Sequence, residues 1–537
     1  MEQHRHSSFY LVLFALILPL WLITPLSWAF LTYAVLSGHV WLYDWPGRAL
    51  VTATFLEALF SIYHYYLVVH ISSLGPSGQC NLPEVQAAFK RLLKVELDGL
   101  SEECHEVLHP LNHESPMQLE WNDPRAKDFR NRLQTWFRKA AWSSIRLEGV
   151  KQWVFWSIYN SHMPPSNQLS PAQQAIIKES LEHIQMLTGC DIPEGLDPQN
   201  QPMRLTVDPV TIHWRPLFFY ILVGMINRYC RWWFASRYNM KHASRQGLEY
   251  LIRIPNNWDY TNGPRPVVFI HGLGLGFLQY SVFLSHLLNE ISDRPVLVLL
   301  QPQISQDFFH PHYLKPLNRQ QTVEKLRLVL TELGWVDQES VMMSDRDTEG
   351  KTNTPLLSPF KASGITVLSH SNGSYSHAWL LKDCPEIVAR SCFVDPVTFC
   401  SWEGDVCYNF VYRQPSTGLQ LLMYYFVATE LGVANLLRRH FDWVSNSLWC
   451  EEIPNVRDPT KTLVVLGGKD DIVSSEVGTD SFLPLATIIS FQQRVTRYLL
   501  SHGVKKGIRY NSNGQHGQSL VPGDPGLDEI LMWLKDE

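Results

Sequence analysis

From residue 248 onward the chain alternates short apolar runs with amphipathic stretches. The runs 267–271, 296–300, 365–369, 392–394 and 463–466 are almost unbroken in Val, Ile, Leu and Phe. Between them, 280–288 and 322–333 repeat apolar residues at helical spacing, the second at Val323, Leu326 and Leu330. Strands that are apolar on both faces, separated by one-sided helices, predict an α/β fold: a mostly parallel, doubly wound sheet covered by helices on both sides. The stretch 338–363 breaks the rhythm with Asp, Thr, Ser, Gly and Pro, and reads as a polar surface insertion.

Upstream, 78–240 reads as helices and polar loops without strand rhythm. Ser170-Pro171 opens one of these helices in cap-then-proline order. The segment 213–237, HWRPLFFYILVGMINRYCRWWFASR, runs from an apolar core into a cluster of Trp and Arg. It suits either an interfacial helix with its arginines at headgroup level or a buried helix packed on the C-terminal domain. The amino terminus differs again: no charged side chain lies between Arg5 and Asp44, and 9–36 is nearly all apolar or aromatic. A bilayer span needs about 20 such residues. A second run, 49–72, has Glu57 as its only charge, so 1–77 is expected to be an anchor of one or two transmembrane helices. Glu57 then has either a helix lying on the protein or a partner within the bilayer to account for it.

Composition narrows the class. The 537 residues are 45% hydrophobic and 18% charged, with a net charge of −6 and no long basic run, which gives no electrostatic case for nucleic acid. Nine cysteines without a C-x-x-C pair argue against a disulfide framework or a zinc module. The one N-x-[ST] sequon, at Asn372, falls inside the candidate site described next, which favours a cytosolic body. Arg5 ahead of the first run and Lys90, Arg91 and Lys94 after the second favour both flanks on the cytosolic side, as for a hairpin in the endoplasmic reticulum or another internal membrane.

The candidate chemistry sits at strand ends, where parallel sheets gather functional groups. In 364–381, GITVLSHSNGSYSHAWLL, a strand must turn sharply into a helix at Ser371, with small residues at Ser369 and Gly373. Such a nucleophile elbow lifts one hydroxyl above the sheet, although here Ser369 replaces the usual first glycine. A serine needs a base, and the base an orienting carboxylate. LVVLGGKDDIV, 463–473, ends a strand with Asp470 and Asp471, and RYNSNGQHGQSL, 509–520, offers His516 in a glycine-flanked loop. VVFIHGLGLG, 267–276, adds a glycine-rich turn able to aim a backbone N–H at an oxyanion. Asp395, in FVDPV, also ends a strand. His271 reads as a histidine tying down the glycine turn, and His370 as one packing beside the elbow.

With these pieces in the order Ser, Asp, His, residues from about 248 to 537 resemble the α/β-hydrolase superfamily. The resemblance implies Ser371 as nucleophile, His516 as general base and Asp470 as acid, with the N–H groups of Leu273 and Asn372 as the oxyanion hole. Asp395 and Asp471 remain alternative acids. It also implies a catalytic domain over 241–537, with a helical cap at 398–461, and no metal or organic cofactor. The expected activity is that of a membrane-anchored serine esterase or lipase acting on an acyl ester, lipid-like in view of the apolar cap. Tyr424 and Phe426 are its candidate chain-length readers. The competing expectations are an acyltransferase using the same triad and a non-catalytic, membrane-tethered binding protein on a hydrolase fold.

Overall fold

Eight strands form one sheet in the order β1-β2-β4-β3-β5-β6-β7-β8. They are β1 (Lys241–Arg245), β2 (Leu248–Arg253), β3 (Val267–Ile270), β4 (Val296–Leu300), β5 (Ile365–His370), β6 (Val388–Val394), β7 (Thr462–Gly467) and β8 (Ile508–Asn511). β2 runs against both of its neighbours, and every pair from β4 through β8 is parallel. The computed structural model describes residues 5–38, 44–77, 81–98, 118–259, 262–336, 364–470 and 490–536. Asp471 and the polar insertion 338–363 lie outside the described residues.

Every residue of β3, β4, β5 and β7 is buried, as unbroken apolar strands require. The two-residue period divides them: Val268, Ile270, Leu297 and Leu299 face one core, while Val267, Phe269, Val296 and Val298 face the other. The region expected to be helical forms α3 (Leu82–Asp98), α4 (Pro124–Trp136), α5 (Leu147–Tyr159), α6 (Pro171–Thr188) and α7 (Leu217–Tyr238), preceded by α1 (Ser7–Leu36) and α2 (Trp45–Ser73). Ser170 caps α6 in a full capping box with Gln173. Side chains of α3 to α6 enter the first core, and Trp136 Nε1 donates to the Trp402 carbonyl at 3.2 Å. That region and the sheet therefore share one hydrophobic core. α8 (Ser281–Glu290) packs in the second core, while α9 (Arg319–Glu332) and α10 (Gly373–Asp383) pack in the first.

Among the described residues, α1 is the one helix long and apolar enough to cross a membrane. The second expected span, 49–72, forms α2 and does not meet that test. Of its buried positions, Glu57, Phe60, His64, Leu67 and Ile71 follow a three- and four-residue spacing, with Ala58 beside them, and turn one face onto the body. Glu57 accepts from Thr24 Oγ1 of α1 at 2.6 Å and from the Leu217 N–H at 2.8 Å, so the carboxylate is a joint between helices. Arg439 donates to the carbonyls of Ile71 and Ser72. The charge argument for both flanks on one side needs two spans, and it falls with the second.

Candidate active site

Ser371 has a φ of +52°, a left-handed conformation rare outside glycine, where β5 turns into α10. Its N–H donates to the Val394 carbonyl at 3.0 Å, and its own carbonyl accepts from Ser374 N–H at 2.9 Å. Gly373 makes the turn possible: a Cβ there would lie 2.3 Å from the Ile270 carbonyl oxygen of β3. The serine at 369 is accommodated because its fully buried hydroxyl has a partner, His377 Nδ1, at 2.9 Å. His377 Nε2 in turn meets Ser391 Oγ at 3.0 Å, and its ring stacks on Phe393. Burial pushes that imidazole down to about 3, so it stays neutral between the two hydroxyls.

His516 stands on the loop after β8, and its Nδ1 lies 2.6 Å from Asp470 Oδ2 just beyond β7. The same Asp470 oxygen accepts from Gln492 Nε2 at 3.0 Å. Burial pushes the His516 imidazole down, but the Asp470 charge and hydrogen bond, aided by Asp395, outweigh it and lift it to about 9.

Asp395, also left-handed with φ +43°, serves different groups. Its Oδ1 accepts from Gly467 N–H at 2.8 Å and its Oδ2 from Gly517 N–H at 2.7 Å, tying the end of β7 to the histidine loop. Burial raises its carboxyl to about 6; Asp470 adds to the rise, while His516 and the two N–H groups oppose it. His370, Asp395 and His516 each bring a potential ligand atom within 4.8 Å of the others. These groups already have partners within the protein: both Asp395 oxygens, His516 Nδ1, and His370 Nδ1, which meets Tyr280 Oη at 2.7 Å.

Tyr280 joins the site without any signal in the local sequence. Its hydroxyl accepts from Gly272 N–H at 2.9 Å and shares a hydrogen bond with His370 Nδ1 at 2.7 Å, which pins the glycine turn to the turn at Ser371. Burial, with the His516 and His271 charges, holds His370 well below its ordinary value. His271 ties the turn from the other side, with Nε2 accepting from the Gln301 N–H at 3.3 Å.

Leu273, Ser371, Asn372 and His516 line one cavity of about 560 Å³. Asn372 also stands at the N-cap position of α10, so the helix dipole places partial positive charge beside Ser371. The segment 398–461 contributes Phe410, Leu419, Met423 and Tyr424 to the cavity wall, the last three from α11 (Gly418–Ala428). Phe426 is not among the lining residues and packs 5.6 Å from Phe219 of α7.

No family model matches the sequence, and no curated protein matches it. Among solved structures it is similar to a bacterial membrane phospholipase A, described as a virulence factor, at 15% identity, 59% coverage of this chain and 92% of that one, TM-score 0.32. It is similar to carboxylesterase CesB from Bacillus subtilis at 12% identity, 58% and 98% coverage, TM-score 0.30. Carboxyl esterase 2 from the fungus Tuber melanosporum gives 15% identity, 55% and 87% coverage, TM-score 0.32. Likeness at this level leaves the reading of the site to its own geometry.

Proposed function

We propose that the protein is a membrane-anchored serine hydrolase of the α/β-hydrolase class that cleaves a lipid-like acyl ester. The observation that carries this reading is the 2.6 Å contact between His516 and Asp470 over a cavity that His516 shares with a left-handed Ser371. Ser371 Oγ attacks the acyl carbonyl while His516 Nε2 takes the hydroxyl proton. The oxyanion forms beside the N–H groups of Leu273 and Asn372, and the leaving alcohol departs with the proton from His516. Water, activated by the same imidazole, then attacks the acyl-enzyme and releases the acid.

Asp470 holds the imidazole and stabilises its charged form, whereas Asp395 has both oxygens on backbone N–H groups and acts as the brace of the histidine loop. The lipid-like class is supported by the cavity wall and its rim. Leu419 and Val521 are lining residues that remain exposed. α11, which carries Leu419, docks on the start of α1, with the Gly418 N–H donating to Ser8 Oγ at 3.1 Å. Each acyl methylene buried in such a cavity contributes about 0.8 kcal/mol, enough for several carbons to set a chain-length preference.

The test is covalent labelling of the purified protein with a fluorophosphonate. The wild type should label, and Ser371→Ala should not. Undiminished labelling of Ser371→Ala would overturn the assignment.

A further inference from the structure

Helix α7 has two apolar faces, and the body uses only one. Phe219, Tyr220, Val223, Cys230 and Phe234 are buried. On the other side Phe218, Ile221, Met225, Tyr229 and Trp232 recur at three- and four-residue spacing and are 41% to 63% exposed. A stripe of this size on one helix calls for a partner.

The stripe cannot be hidden by rolling the helix. Asn227, on the buried side, donates to the Leu275 carbonyl at 3.2 Å and accepts from the Leu278 N–H at 3.0 Å. Phe234 meets Phe277 edge-on at 4.6 Å, and the Leu217 N–H is held by Glu57 of α2. The outer face is thus fixed by contacts along the length of the helix.

What covers it follows from two further observations. α7 begins against α2, which packs along α1, the helix apolar enough to cross a membrane. The helix is also graded along its axis: 217–226 carries no charge, whereas 228–237 carries Arg228 and Arg237 among Tyr229, Trp232 and Trp233, together with Arg231, which pairs with Asp307 of the body at 3.5 Å. Aromatic and arginine side chains of this kind settle at the boundary between acyl chains and headgroups, and the guanidinium groups favour anionic lipids. A protein interface would not require that gradient.

We propose that the outer face of α7 lies in the surface of a lipid bilayer, with Phe218 to Met225 towards the acyl chains and Tyr229 to Arg237 at headgroup level. It forms a second membrane contact beside α1. The inference rests on the membrane anchoring of the proposed function and not on the triad.

The test uses the full chain reconstituted into phosphatidylcholine vesicles, with or without phosphatidylglycerol, whose acyl chains are brominated. Trp232→Phe/Trp233→Phe should lose a measurable share of the quenchable tryptophan fluorescence, because bromine quenches only rings in contact with lipid. Met225→Ser/Tyr229→Ser/Trp232→Ser should hydrolyse a vesicle-borne ester about tenfold more slowly while its rate on a soluble short-chain ester is unchanged. Phosphatidylglycerol should speed hydrolysis of the vesicle-borne ester less in Arg228→Gln/Arg237→Gln than in the wild type. Quenching identical in wild type and the Trp232/Trp233 variant would overturn the inference. So would a cross-link joining two copies through Met225→Cys in vesicles, which would assign the face to a second copy. Since quenching needs no turnover, loss of the triad assignment would leave this result standing.

Discussion

At the scale of single residues, two carboxylates near one imidazole make different contacts. Asp470 touches His516, and Asp395 accepts from the backbone N–H groups of Gly467 and Gly517. Asp470→Asn should therefore lower kcat by about 10³- to 10⁴-fold with little change in melting temperature, as expected when the imidazole loses its orienting charge. Asp395→Asn replaces one acceptor with an NH₂ facing an N–H donor, at a cost of about 1–3 kcal/mol. Thermal unfolding should register that loss, with a smaller effect on kcat. The sign of the pH effect follows from charge. His516 is lifted to about 9 by its anionic neighbours, and it acts as a base only when unprotonated. kcat/KM should thus rise with pH towards that value. In Asp395→Asn one of those negative charges is gone, so the rising limb should move to lower pH. An unchanged limb would show that Asp395 does not act on the imidazole electrically.

At the scale of elements, α11 meets two different neighbours along its length. Met423 and Tyr424 of α11 face the cavity, while Gly418 at its start lies so close to α1 that a Cβ would meet the Ser8 carbonyl oxygen at 2.7 Å. Specificity constants for synthetic esters should rise from acetyl to octanoyl. Tyr424→Ala should flatten that rise more than it slows acetyl-ester hydrolysis, since it removes wall rather than chemistry. Phe426→Ala should leave the chain-length series largely unaltered, because its ring packs on Phe219 instead. A steeper response to Phe426→Ala than to Tyr424→Ala would show that the acyl chain runs elsewhere.

At the scale of the whole molecule, the amino-terminal helices are part of the folded body. Phe9 and Ile17 pack with Leu421 and Tyr425, and Leu67 and Ile71 pack with Tyr313 and Leu431. Full-length protein should stay with membranes through an alkaline wash, because apolar surface is not released by breaking charge pairs. A chain starting after residue 77 should be recovered in detergent and aggregate without it, having exposed Leu421, Tyr425, Tyr313 and Leu431; sedimentation of the two forms compares them. Starting near 240 should be worse, since it also removes α3 to α6 from the core that holds Trp402.

The alternation of strand and helix, the sharp strand-to-helix turn at Ser371 and the chain order of Ser371, Asp470 and His516 are determined by the sequence alone. Each depends on a local property: a two-residue or 3.6-residue apolar period, or a turn that only small residues permit. The antiparallel β1 was not legible, because its residues, Lys241 to Arg245, are mostly exposed and polar and it is a strand only through pairing with β2. Which of Asp470 and Asp395 contacts the His516 imidazole was likewise decided by the tertiary structure, as both end a strand and only the approach of the 516 loop separates them. Ser369 could be read as a departure from the elbow pattern, but not as the partner of His377. Tyr280 bore no mark in the sequence of its contacts with Gly272 and His370. The exposed face of α7 and the packed face of α2 are both apolar stripes in sequence, and they differ only in what lies opposite. Periodicity records that a side is apolar; distances between segments far apart along the chain decide what meets it.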